Sequence, residues 1–300
     1  MEALLMNKIL CVLFLSFMIM PAALFAGGSN DSSKCDTRYP IVLTHGMGAS
    51  YEIAWGIEKY WHNIPDALED EGAEVYITSV DAMGTTAQKA AQWYQQLLTI
   101  KAASGAAKLN IIGHSHGSVY SRYAISNFPG CADMIASHTS VAGPHRGSAL
   151  SEVMLGLISD NFLSTLIDEV MKLIMGNSNA DVVANLQDLT RDYMNNIFNP
   201  NTPNSKGIYY QSYAYKIKSL LGAGLFAATW PIMSYYEGAN DGLVAVTSAK
   251  WGTFRGTFQG ASWIGVNHLG AVDMMWGITP GFDAPDHYID MVESLKDMGY

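Results

Sequence analysis

The chain has 300 residues, 49% of them hydrophobic and only 15% charged, which is enough apolar material for a large buried core and excludes a disordered chain. Its net charge of −10, with no cluster of Lys and Arg, excludes a nucleic-acid or other polyanionic partner, because phosphate binding needs concentrated positive charge.

The first 28 residues place Lys8 ahead of an apolar run from Ile9 to Met20, then the small residues Ala22, Ala23, Ala26, Gly27 and Gly28. That order predicts a secretory signal peptide cleaved near Ala26 or Gly28, hence a secreted or periplasmic protein. Met6 offers a second start just before Lys8. An uncleaved anchor is the alternative, disfavoured because small residues rather than basic ones follow the run. Removal takes Cys11 with it and leaves Cys35 and Cys131, which in an exported protein either pair or stay two separate buried thiols.

From residue 29 onward the pattern alternates. "PIVLTHG" predicts a strand, "YWHNIPDALEDEG" a helix and "EVYITSV" a strand; a helix over about 85–103 follows, then the strand "KLNIIG" and a helix over about 115–128. Ala87, Ala90, Tyr94, Leu97 and Leu98 fall at helical spacing, whereas the strands are continuous apolar runs of the kind covered on both faces. Another strand near "MIASHTSVAG" leads into "PHRGS" and a long segment over 151–199; then come a strand "GIYYQSYAY", an apolar stretch to "PIMSYYEG", the turn "ANDG" and a closing helix over about 284–298. The fold predicted is α/β, a mostly parallel central sheet with helices on both faces, in one domain over 29–300 with one large insertion at about 151–199.

Gly113-His114-Ser115-His116-Gly117 matches G-x-S-x-G between a predicted strand and a predicted helix, the context this nucleophile motif demands. Ser115 needs a base, and there are eight histidines. His114 and His116 are chain neighbours that the turn points away from the hydroxyl; His45 sits in a glycine loop; His62 and His287 lie on predicted helices; His138 is in a strand and His145 in the loop after it. His268, in "GVNHLGAV", remains. Asp241, in "GANDGLV", stands between Ser115 and His268 in the chain, on a turn where a late strand would end, and suits the acid that fixes the imidazole's tautomer. Read alone, Asn-Asp-Gly is also an ordinary turn. The backbone N–H of His116, and that of Met47 in the loop "LTHGMGAS", are the expected oxyanion hole.

Taken together, "YPIVLTHGMG", "NIIGHSHGS", "GPHRGS", "ANDGLV" and "NHLGAV" resemble, in order and separation, the bacterial triacylglycerol lipases of the Pseudomonas and Burkholderia type, within the α/β-hydrolase superfamily. The resemblance spans Tyr39 to Val272. It implies a triad of Ser115, Asp241 and His268, an oxyanion hole from the N–H groups of Met47 and His116, and a lid after "PHRGS", where Val153, Leu155, Leu157, Ile158, Phe162 and Leu163 begin a stretch too apolar for an exposed loop. It implies ester hydrolysis, on lipid or ester substrates, with a lipid–water interface as one setting for it, and some relatives of this type need a folding chaperone. Two departures stand out. Many such lipases bind calcium through an aspartate two positions after the histidine; here Gly270 stands there, Asp273 is a weak substitute, and no metal or other cofactor is expected. Ser118 replaces a usual glycine, a change that should leave the chemistry untouched. A carboxylesterase for short or soluble esters, a phospholipase or an acyltransferase would use the same scaffold, and a non-catalytic lipid-binding protein is the reading from another class.

Overall fold

The five expected strands all form in the computed structural model, which describes residues 33–47, 52–53, 58–158, 180–261, 263–274 and 277–300. The signal-peptide reading and much of the expected lid insertion lie outside these residues. Strands β1 (Ile41–Thr44), β2 (Val75–Thr78), β3 (Leu109–His114), β4 (Ile135–Val141), β5 (Tyr209–Tyr215) and β6 (Thr253–Phe258) form one sheet in the order β2-β1-β3-β4-β5-β6. Every pairing is parallel, so the connections must cross the faces, and helices cover both.

The two faces can be read from alternate residues of β1. Ile41 and Leu43 join Trp61, Leu68, Tyr288 and Met291 in a cluster under helices α1 (Ile64–Asp70) and α5 (Ala284–Asp297). Val42 joins Trp93, Leu97, Ile111 and Tyr120 under α2 (Thr86–Ser104) and α3 (His116–Asn127). Each fully buried side chain of this size contributes roughly 1.5–3 kcal/mol by leaving water. Helix α2 begins where Thr85 and Gln88 form a reciprocal capping box and ends at Gly105, whose φ of 63° suits a residue without a side chain. Cys35 packs in the first cluster and Cys131 in the second, so they lie on opposite faces as free thiols. Burial pushes each up to about 12, which keeps them protonated and inert. Of the two readings of the cysteines, the unpaired one holds.

Strand β6 has no counterpart among the strands expected from the sequence. Its sequence, TFRGTF, is interrupted by Arg255 and Gly256, it lies at the sheet's edge, and its residues are at most half-buried. Opposite it the register slips between Ser212 and Tyr213, and Gly256 takes φ 137°.

What matters for the site is how the strands end. Thr44 of β1 pairs with Gly113 of β3, and His114 with Val141 of β4. The loops that follow β1, β3 and β4 therefore emerge side by side at the carboxyl edge of the sheet, where parallel α/β sheets place their ligands.

Candidate active site

Ser115 is the single residue between β3 and α3, at φ 55° and ψ −130°. A residue with a Cβ avoids that region, at a cost of order 1–3 kcal/mol, unless its surroundings impose it. Here they do. The Ser115 N–H donates to the Val141 carbonyl at 2.9 Å, and its own carbonyl accepts from the Ser118 N–H at 3.0 Å. The glycines make the close approach feasible: a Cβ on Gly113 would lie 2.8 Å from Cα and N of Ser118, and one on Gly117 would strike the carbonyls of Thr44 and His45. Ser118, the departure from the usual glycine, turns its hydroxyl onto the Gly113 carbonyl at 2.6 Å, tying helix to strand.

His268 and Asp241 meet. The imidazole Nδ1 lies 2.7 Å from Asp241 Oδ2 in a buried pair, and the His268 N–H donates to the Asp241 carbonyl at 2.9 Å. The other carboxylate oxygen, Oδ1, accepts from the N–H groups of Leu243 (3.0 Å) and Val244 (2.7 Å). The acid is thus fixed at both oxygens. Asp241 does not follow a strand as the pattern suggested: helix α4 (Thr229–Glu237) precedes it. It nonetheless sits beside the end of β5, because the Ile217 N–H donates to the Asn240 carbonyl at 2.9 Å, so residues 218–239 are an excursion that returns to its origin. Asn-Asp-Gly also does its ordinary turn work, with Asn240 Oδ1 accepting the Gly242 N–H at 2.8 Å.

Ser115 and His268 line one cavity of about 290 Å³ whose walls are apolar, among them Met47, Leu150, Met154, Leu186, Leu225 and Leu269. Among the described residues the backbone N–H groups of Met47 and His116 have no acceptor, while the Gly46 N–H donates to the Tyr60 hydroxyl at 2.9 Å. Two buried histidines hold these donors in place. His45 Nε2 accepts the Val80 N–H at 3.0 Å, so its proton sits on Nδ1, 2.8 Å from the Gly46 carbonyl. On the other side, His116 Nδ1 faces the ammonium of buried Lys89 at 3.3 Å and Nε2 donates to Thr86 Oγ1 at 2.9 Å. Burial lowers His45 to about 4, His116 well below the usual imidazole range, and Lys89 to about 7.

The remaining histidines are structural, as their positions suggested. His138 bonds Ser121, His145 lies between Ser140 and Arg122, and His287 accepts or donates to the Tyr215 hydroxyl at 2.9 Å. His62 is a correction: it precedes α1 rather than lying in it, at φ 38°, and pairs with Asp273 at 3.0 Å. Two further residues sit beside Ser115 and His268. Tyr60 lines the cavity, and the His114 ring lies against that of His268 with centroids 4.5 Å apart and planes tilted by 41°. No local signal marks either, since both act through contacts distant in the chain. The assembly offers a hydroxyl, an imidazole oriented by a carboxylate, and two free N–H groups beside an apolar cavity.

Comparison with known proteins places this arrangement. The sequence pattern of the alpha/beta hydrolase fold matches residues 39–223. The triacylglycerol lipase of Vibrio cholerae is 30% identical across 93% of this chain and 94% of its own length; that of Pseudomonas fragi is 37% identical over 117 residues, 39% of this chain and 38% of the relative. Among solved structures, the mature lipase of Bacillus licheniformis superposes with a TM-score of 0.65 at 16% identity, covering 91% of this chain and 99% of that one. A metagenomic carboxyl esterase gives 0.67 at 17%, covering 95% and 82%. At such identities the structural likeness is one of fold.

Proposed function

We propose, from the premise that this chain belongs to the alpha/beta hydrolase family and is an ester hydrolase, that it is a triacylglycerol lipase working through an acyl-enzyme on Ser115. In this mechanism Ser115 Oγ attacks the ester carbonyl while His268 Nε2 takes its proton. Asp241 holds Nδ1–H and stabilises the imidazolium. The tetrahedral oxyanion is received by the N–H groups of Met47 and His116, and His268 then protonates the departing alcohol. Water repeats the two steps on the acyl-enzyme.

The observation that carries the lipid reading is the cavity beside Ser115, with apolar walls and few polar groups to fix a small hydrophilic acid. A series of soluble esters of increasing acyl length, run against emulsified triglyceride, tests it. Turnover should rise beyond butyrate and triglyceride should be cleaved. Activity confined to acetyl and butyryl esters would instead make the protein a carboxylesterase, and activity restricted to phospholipid would make it a phospholipase.

The proposal includes no calcium. Its support is the donor set: Gly270 offers only its backbone carbonyl where the aspartate would stand, and Asp273 spends Oδ2 on His62 and on the Asn63 N–H at 3.2 Å. A hard cation wants several free oxygens. Dialysis against a chelator should leave turnover within about twofold, whereas a tenfold loss restored by calcium would reject this part. Export from the cell belongs to the same reading, supported by Lys8, the apolar run and the small residues after it.

A further inference from the structure

We propose that Tyr60 and His114 are positioning residues, a buried strut that aligns the oxyanion-hole loop with the loop carrying His268. The inference rests on the triad reading given above. Proton counting fixes the direction of its bonds. The Gly46 N–H can only donate, so the Tyr60 oxygen accepts it at 2.9 Å. A phenol has one proton, and this one goes to His114 Nδ1, which lies in close hydrogen-bond contact. His114 must then carry its own proton on Nε2. Complete burial and neighbouring His268 hold the ring neutral. Its Nε2–H has no hydrogen-bond partner among the described residues, and the ring lies against the His268 imidazole, centroids 4.5 Å apart and planes tilted by 41°.

The strut thus touches both halves of the machinery. Gly46 is the residue before Met47, whose free N–H is one oxyanion donor. The phenol is wedged against it: a Cβ on Gly46 would lie 2.9 Å from the Tyr60 oxygen and 2.8 Å from Ser115 Cβ. Without the hydroxyl the Gly46 N–H is buried with no acceptor, and a peptide in that state rotates to find one. That rotation would carry the Met47 N–H off the oxyanion. Ring packing is a separate matter, since Tyr60 lies edge-on to Trp61 at 5.2 Å and phenylalanine keeps that contact.

Tyr60→Phe, His114→Leu, His114→Asn and the Tyr60→Phe/His114→Leu double variant test the idea. Removing a whole oxyanion donor costs about 10²–10³ in kcat, so misaligning one should cost roughly 10–100-fold. We expect Tyr60→Phe to lose that factor in kcat, with KM changed less than about threefold, and to lose it equally in the rate of covalent labelling by an organophosphonate. His114→Asn, which keeps an acceptor near the Nδ1 position, should recover most of the activity that His114→Leu loses. The double variant should be no worse than the poorer single variant, because both break one unit. Wild-type kcat in Tyr60→Phe, equal damage from His114→Asn and His114→Leu, or losses that multiply would each overturn the proposal. If Tyr60→Phe does not fold, the two His114 variants decide. Failure of the triad reading is distinguishable, since it would show as an active Ser115→Ala protein.

Discussion

Ser115→Ala should lower kcat by about 10⁴–10⁶ with little change in thermal stability. Triads of this kind lose that much when the nucleophile goes, and the remainder over water comes from oxyanion donors and binding. At 1.36 kcal/mol per decade this is on the order of 5–8 kcal/mol of barrier. Stability should hold because the hydroxyl carries none of the bonds that impose the turn; these run through the Ser115 N–H and carbonyl. Turnover on a soluble ester, measured with a thermal melt, checks both halves. A variant within tenfold of wild type would remove Ser115 from the chemistry and leave the cavity without a nucleophile.

The second large effect is expected at Asp241→Asn, about 10⁴ in kcat, by analogy with the loss seen when a triad aspartate is made an amide. The local geometry gives the reason. Asp241 Oδ1 accepts two backbone N–H groups, so an asparagine keeps its carbonyl oxygen there and presents its NH₂ to His268 Nδ1. The imidazole must then accept at Nδ1 and hold its proton on Nε2, so it cannot act as a base toward Ser115. Binding should survive, so KM should move much less than kcat. A loss under tenfold in a folded variant would mean that some other carboxylate orients His268.

Much of this was legible in the chain because much of it is local. The turn at Ser115 needs glycines two residues to either side for reasons visible in five letters, and Gly113 and Gly117 do face backbone atoms that a Cβ would hit. The four apolar strand runs through Val141 announce a sheet covered on both faces. Asp241 and His268 were reached by their order in the chain, although the expected strand before Asp241 is a helix; an excursion that returns to the end of β5 leaves the same endpoint as a strand would. What escaped notice depends on folding. Strand β6 hides behind Arg255 and Gly256, because an edge strand need not be apolar. The tautomers of His45 and His114 are set by Val80 and Tyr60, and Lys89 reaches His116 across 27 positions. Nothing in composition or spacing encodes such pairings.

The irregular outer strand has a consequence of its own. Open sheets end in rows of unsatisfied amides and carbonyls that invite another molecule to zip on. Here one margin is β2, only four residues long, and the other is β6, bent by Gly256 and out of step with its neighbour. Neither offers a flat ribbon to copy, so neighbouring molecules have no ready edge on which to knit into an aggregate.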